Sequence, residues 1–169
     1  NVENDTKIGL VRVILLVEDS PQYYSRYLPL LYSIVLDQTR RIIEDVSTDE
    51  LYKVLRMRAR PKILLASSFE EAQEILNKFR DYMLCLISDV KFEKNGKPYD
   101  KAGFELVKYA RNLIGELPTI IQSHDVENAS VAYELKTTFI DKNSETLVQD
   151  FKSFITHYLG FGNFIYRDN

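Results

Sequence analysis

The chain has 169 residues, 45% of them apolar and 12% aromatic, which is the composition of one globular domain rather than of a disordered segment. Its formal net charge of −3 excludes a general attraction to nucleic acid, and its single cysteine, Cys85, excludes an internal disulfide. No apolar run approaches the roughly 18 residues of a membrane-spanning helix. We therefore expect a soluble, cytoplasmic domain with neither a membrane nor a nucleic acid as partner.

Short β-branched runs alternate with longer helical patterns along the chain, which is typical of a parallel sheet covered by helices. The predicted strands cover residues 11–17, 62–66, 84–88, 118–122 and 137–140. One predicted helix begins at Pro21, and four further helices are predicted over 69–80, 103–114, about 126–135 and 144–159. The sequence thus predicts an α/β domain with a doubly wound, three-layer αβα fold around a five-stranded parallel sheet.

The segment between the first two strands is too long for an ordinary crossover. Ser20 and Pro21 predict a helix start, the residues that follow are apolar almost all round, and Pro29 is expected to bend or interrupt that helix. Because such a helix needs cover on more than one side, we expect a helical insertion at about 38–60 in which 48–57 folds back over it. Docking on a second copy or on a neighbouring domain is the alternative.

Polar side chains follow the ends of four predicted strands. Glu18 and Asp19 follow the first strand, Asp89 the third, Ser123 the fourth and Lys142 the fifth. Because the carboxyl ends of parallel strands meet at one edge of the sheet, these side chains are expected to share one crevice. Three carboxylates suit Mg²⁺, and a lysine and a hydroxyl beside a carboxylate nucleophile suit phosphoryl transfer.

Through the motifs VILLVEDS, LCLISDV, TIIQS and FIDK, the chain resembles the receiver domain of bacterial two-component response regulators from about Val11 to Leu159. The resemblance implies a flavodoxin-like fold, a receiver domain over residues 1–160, and a regulatory domain rather than a metabolic enzyme. It implies that Asp89 accepts a phosphoryl group from a sensor histidine kinase or a phosphotransfer protein. Residues 161–169 would begin a linker to a downstream region.

The resemblance also implies roles for the other site residues. Lys142 and Ser123 correspond to the lysine and hydroxyl that contact the phosphoryl group, and Ser123 with Phe139 corresponds to the pair that switches on activation. The cofactor would be Mg²⁺, held by the carboxylates of Glu18, Asp19 and Asp89 and by the backbone carbonyl of Lys91.

Two insertions depart from the family pattern: the segment between the first two strands is long, and the loop over 91–102 is enlarged before Gly103. This loop is a candidate lid or partner contact, with tolerated surface as the alternative. The long segment, with MRARPKILLAS, FIDKNS and FGNFIYRD, resembles receiver modules attached to phosphoenolpyruvate synthase or pyruvate phosphate dikinase-like proteins. This resemblance implies that the first helix and the insertion contact an attached effector domain or a second copy of the chain in a homodimer.

Four residues depart from the pattern or flank the site. Asn143 stands where a proline is usual, and His124 stands where a small residue is usual and is expected to crowd access to the phosphoryl group. We hypothesise that Lys91 and Asp125 pair across the crevice and restrict the water that hydrolyses an acyl phosphate.

Two alternative functions fit parts of the pattern. A phosphohydrolase of the haloacid-dehalogenase kind also uses an aspartate nucleophile, but it needs a second aspartate two residues later, where this chain has Lys91. A degenerate receiver would keep the fold as an unphosphorylated protein-interaction module. The five site residues argue against this second alternative, whereas the insertions and Asn143 leave it open.

Overall fold

The computed structural model describes residues 11–46 and 61–158. In this part of the chain the α-helices are α1 (Pro21–Val46), α2 (Phe69–Lys78), α3 (Ala102–Ile114), α4 (Asn128–Glu134) and α5 (Leu147–Tyr158). The strands are β1 (Val13–Val17), β2 (Lys62–Ala66), β3 (Met83–Asp89), β4 (Phe92–Lys94), β5 (Lys97–Tyr99), β6 (Thr119–Ser123) and β7 (Thr138–Asp141). No helix among these residues is both long and apolar enough to cross a membrane.

Five of the strands form one parallel sheet in the order β2-β1-β3-β6-β7. Chain order reverses between β1 and β3, and this reversal opens a crevice at the carboxyl ends of the strands. One apolar cluster packs α2 and α3 against the sheet, and a second packs α1 and α5 against its opposite face. The predicted three-layer αβα fold with a five-stranded parallel sheet is therefore confirmed.

Strand β3 lies in the middle of this sheet, between β1 and β6. Its residues from Met83 to Ser88 are all buried. The side chain of Cys85 has no exposed surface, and it packs in the cluster that faces α1 and α5. The thiol is thus enclosed by the sheet and by these helices, as is common for a free cysteine, which packs as a small apolar residue.

Helix α1 runs for 26 residues and continues through Pro29, so the predicted interruption does not occur. Pro29 removes the hydrogen bond to the carbonyl of Ser25. Both residues are exposed, so water can reach that carbonyl, while buried Tyr27 and Leu31 hold the adjoining turns against the core. The predicted insertion is helical as far as Val46, and its remainder, with the predicted fold-back over 48–57, lies outside the described residues.

The enlarged loop after β3 is a β-hairpin formed by β4 and β5. Its turn places Asn95 and Gly96 at φ values of 55° and 78°, as a two-residue turn between twisted strands requires. Phe92 at its base is fully buried, and the backbone N–H of Asn95 donates to Glu70 Oε1 at 2.6 Å. The hairpin is thus packed at its base and bonded to α2 at its tip.

One further side chain secures the hairpin. Lys94 Nζ lies 4.6 Å from the ring centroid of Phe69 in α2 and 5.3 Å from that of Tyr99 in β5. It also forms an ion pair with Glu105 of α3, and Tyr99 Oη donates to the same carboxylate at 2.8 Å. These contacts connect the hairpin to two helices, α2 and α3.

Candidate functional site

The candidate site forms where buried strands end in polar residues on one face of the sheet. Side chains along a strand alternate between the two faces. On the face that packs against α1 and α5, the buried strand residues are apolar until the carboxyl ends of the strands. The next residues in the same alternation are polar and buried or partly buried: Glu18, Asp89, Gln122 and Lys142.

Lys142 joins two of the carboxylates. Its Nζ lies 2.6 Å from Glu18 Oε2 and 2.8 Å from Asp89 Oδ2. The side chains of Lys142 and Glu18 are 2% and 1% exposed, and that of Asp89 is 15% exposed. The second oxygen of Asp89 accepts a hydrogen bond of 2.8 Å from the backbone N–H of Val90. Three residues far apart in the sequence therefore form one ion-paired group.

Gln122 belongs to this group, although the sequence analysis did not select it. Its Nε2 donates to Glu18 Oε2 at 3.2 Å, and the backbone N–H of Ser20 donates to Glu18 Oε1 at 3.3 Å. Gln122 lies in an otherwise apolar strand and is fully buried. A buried amide in such a strand needs a polar partner, and this requirement was the signal in the sequence.

The site holds more negative charge than positive charge. Burial, followed by the neighbouring charge of Asp89, raises the pKa of Glu18 from 4.5 to about 7, despite the hydrogen bond from Lys142. Burial and Asp89 also raise the pKa of Asp19. Burial disfavours the charged form of Lys142, but Asp89 and Glu18 outweigh it, and the pKa of Lys142 is raised. A further cation would relieve the repulsion among these carboxylates.

Three carboxylates are arranged so that they can share a cation. One carboxylate oxygen each from Glu18, Asp19 and Asp89 lies within 4.8 Å of the others. These are hard oxygen ligands of the kind that Mg²⁺ prefers, and their spacing and excess negative charge fit a divalent cation. The three residues predicted from the sequence as metal ligands are therefore neighbours.

Lys91 lines the same crevice, but its side chain does not make the predicted contact. Its Nζ lies 3.5 Å from Asp100 Oδ1, and both side chains are largely exposed. The ion pair that we hypothesised between Lys91 and Asp125 is not formed. Asp125 uses its backbone N–H to donate to Ser123 Oγ at 3.0 Å.

Ser123 lies at the end of β6 and lines the crevice. Its Oγ also accepts a hydrogen bond of 3.0 Å from Asn128 Nδ2. Both of these partners donate to Ser123 Oγ, so the hydroxyl hydrogen is available to a further acceptor. Phe139 is half-buried opposite Ile121 and packs against the apolar cluster on the side of α2 and α3. The two predicted switch residues thus lie on adjacent strands.

Tyr23 of α1 covers the ion-paired group from one side. Its ring centroid lies 4.4 Å from Lys142 Nζ and 4.8 Å from the ring centroid of His124. His124 Nδ1 is 2.8 Å from Asn143 Oδ1, and Asn143 Nδ2 donates to the backbone carbonyl of His124 at 3.2 Å. The two residues that depart from the family pattern, His124 and Asn143, therefore join the loops after β6 and β7.

The crevice has a volume of about 930 Å³ and extends from the ion-paired group towards α3 and α4. Gly103 of α3 packs against the backbone at the end of β3, with its backbone N–H donating to the carbonyl of Val90 at 2.8 Å. A Cβ at this position would lie 2.1 Å from the carbonyl oxygen of Asp89. Only glycine fits here without moving the backbone.

No protein-family model matches the chain, and no curated protein matches it. Solved structures do match it. A response regulator receiver domain protein from Clostridium thermocellum is 16% identical, with a TM-score of 0.63 over 92% of this chain and 99% of that one. The phosphorylated cyanobacterial phytochrome response regulator RcpA is also 16% identical, with a TM-score of 0.57 over 88% of this chain and 94% of that one.

A LuxR-family two-component response regulator from Aurantimonas sp. SI85-9A1 is 18% identical, with a TM-score of 0.52 over 87% of this chain and 86% of that one. At these identities the similarity is one of fold. It agrees with the strand order and with the crevice at the carboxyl ends of the strands. The chain has the flavodoxin-like fold of response regulator receiver domains.

Proposed function

We propose that this chain is a phosphoacceptor signal receiver in which Asp89 takes a phosphoryl group from a histidine kinase or a phosphotransfer protein. The observation that carries the proposal is the contact of 2.8 Å between Lys142 Nζ and Asp89 Oδ2, beside two further carboxylates. The receiver fold and the order of these residues along the chain support the same reading. The domain is regulatory, and its own chemistry is limited to gaining and losing the phosphoryl group.

In the proposed reaction, a carboxylate oxygen of Asp89 attacks the phosphorus of a phosphohistidine. The new bond is between oxygen and phosphorus, the phosphorus–nitrogen bond breaks, and the donor imidazole keeps the electron pair and takes a proton from water. Lys142 neutralises charge on the carboxylate and on a phosphoryl oxygen. Mg²⁺, held by the carboxylates of Glu18, Asp19 and Asp89 and by the backbone carbonyl of Lys91, would neutralise the remaining phosphoryl charge.

Ser123 and Phe139 make up the proposed switch. The free hydroxyl hydrogen of Ser123 can donate to a phosphoryl oxygen. Such a bond would draw Ser123 towards Asp89 and away from Asn128, which now donates to its oxygen at 3.0 Å. Phe139 would then change rotamer beside the vacated space.

We place this receiver with those attached to phosphoenolpyruvate synthase or pyruvate phosphate dikinase-like regions, where it would control an effector domain in cis. The supports are the sequence motifs and the 26-residue length of α1. Tyr32 of α1 is 52% exposed, which suits a contact surface for an effector or for a second copy.

The test is intact mass measurement after incubation with acetyl phosphate, with and without Mg²⁺, on the wild type, Asp89→Asn and Asp100→Asn. We expect one base-labile phosphoryl adduct on the wild type and on Asp100→Asn, which removes an exposed carboxylate of the same crevice. The adduct should require Mg²⁺ and be lost in Asp89→Asn. If neither acetyl phosphate nor a phosphohistidine protein modifies the wild type, the chain is an interaction module instead.

A further inference from the structure

Lys142 has a third neighbour besides the two carboxylates. The face of the Tyr23 ring lies against its ammonium group, with 4.4 Å between Nζ and the ring centroid. Two of the three N–H bonds of Lys142 are accounted for by Glu18 and Asp89. The ring face is therefore a third contact of the ammonium group, beside its contacts with the two carboxylates.

Tyr23 is itself held in place. Its ring stacks on that of Tyr27 with 6.2 Å between centroids and contacts the ring of His124 at 4.8 Å. Tyr27 is fully buried, and His124 is fixed by its two contacts with Asn143. The ring of Tyr23 is therefore clamped between a core residue and the two loops that follow β6 and β7.

We propose that Tyr23 is a positioning residue, whose aromatic face holds the ammonium of Lys142 on Asp89 and shields it from water on the side of α1. A ring face attracts a cation without offering a strong hydrogen-bond acceptor. It therefore stabilises Lys142 without drawing it away from the carboxylates. The positioning of Lys142 by Tyr23 is argued from the geometry alone, whereas the effect of Tyr23 on a phosphoryl group rests on the function proposed above.

The contact depends on the ring and not on the phenol hydroxyl. Tyr23→Phe should therefore preserve it, whereas Tyr23→Leu keeps an apolar side chain of moderate size but removes the ring face. Tyr24→Leu is a matched control, because Tyr24 is the next residue of α1, is also half-buried and does not line the crevice.

The first experiment needs no phosphorylation. Protons on Cε of Lys142, assigned by their loss in Lys142→Arg, should resonate upfield because of the ring current of Tyr23. We expect this upfield shift in the wild type, Tyr23→Phe and Tyr24→Leu, and its loss in Tyr23→Leu. An unchanged Lys142 signal in a folded Tyr23→Leu would overturn the proposal.

The second experiment measures how fast the phosphoryl adduct on Asp89 is lost. We expect Tyr23→Phe and Tyr24→Leu to match the wild type and Tyr23→Leu to lose the adduct about fivefold faster, from the strength of a partly desolvated cation–ring contact. Equal rates in Tyr23→Leu and the wild type would overturn the shielding role. An adduct missing from the wild type would count against the proposed function, and the Lys142 signal alone would then decide the present proposal.

Discussion

Lys142 Nζ and Glu18 Oε2 lie 2.6 Å apart, and both side chains are almost completely buried. Even so, the pKa of Glu18 is raised to about 7, because burial and the charge of Asp89 outweigh its bonds to Lys142. One ammonium group serves two carboxylates and cannot fully compensate both. Binding of a proton to the metal-free site therefore relieves the repulsion among its carboxylates, as binding of a metal ion would.

This relationship predicts a pH dependence of stability in the absence of metal. Folded Glu18 binds a proton more tightly than its usual pKa of 4.5 implies, up to a pKa of about 7. Its contribution is therefore greatest at low pH and is lost as the pH rises from about 4.5 through about 7. We expect the free energy of unfolding of the wild type to fall by about 3 kcal/mol relative to Glu18→Gln over this range.

Urea unfolding in the presence of a chelator, at pH 5 and at pH 8, measures that difference. Subtraction of the Glu18→Gln values removes the contributions of groups that titrate in both proteins. Parallel pH profiles for the two proteins would contradict the raised pKa of Glu18.

Gly103→Ala should distort the loop that begins at Asp89 and Val90. The added Cβ would lie 2.1 Å from the carbonyl oxygen of Asp89 and 2.9 Å from the Cα of Val90, so the backbone of the loop must move. We expect a loss of about 3 kcal/mol in the free energy of unfolding and a changed amide resonance for Val90, whose N–H donates to Asp89.

Gly96→Ala is the control for this substitution. A Cβ at Gly96 would meet nothing within 4 Å, so its cost comes only from the φ value of 78° and should be about 1 to 2 kcal/mol. The Val90 resonance should not change in this variant. An unchanged Val90 resonance in Gly103→Ala would show that the loop tolerates the added carbon.

Phe92→Ala tests whether the hairpin is part of the core. Phe92 is fully buried among the residues that pack α2 and α3 against the sheet, so the substitution should cost about 3 to 5 kcal/mol. Glu93→Ala, on the exposed neighbour, should cost less than about 0.5 kcal/mol. Chemical denaturation of both variants gives the comparison, and a small effect of Phe92→Ala would show that the hairpin is not packed into the core.

The main site residues could be predicted from the sequence because a parallel sheet brings the residues at its strand ends close together. Buried strands read as apolar runs, and the polar residue that ends each run falls at one edge of the sheet whatever the chain between them does. Glu18, Asp89 and Lys142 illustrate this, since 124 positions separate the first from the last and the ion pair still forms.

The hairpin was missed because its strands carry little sequence signal. Each has three residues, too few for a clear alternation, and Pro98 in β5 argues against a strand. The dipeptide Asn95–Gly96 was the one local indication of a turn. The hairpin's stability comes from Phe92 and from the ion pair of Lys94 with Glu105, contacts that depend on the packed fold.

Residues around the Lys142 ammonium were hard to predict for a related reason. Tyr23 sits among several aromatic residues of α1, and only the rotation of the helix decides which of them faces the crevice. Gln122 and Asn143 each act through a partner on another strand or loop. A single sequence gives the residue types at these positions but not the contacts between them.

Because Cys85 is buried in the central strand, the reactivity of its thiol reports how often the fold opens around it. The enclosed thiol has its pKa raised by burial, so the thiolate that reacts with alkylating reagents is suppressed in the folded protein. It is the only cysteine in the chain, and its side chain packs between the sheet and the helices α1 and α5, so a reagent reaches it only when these helices move away from the sheet. The rate of alkylation therefore reports how often this face of the core opens, with no engineered probe.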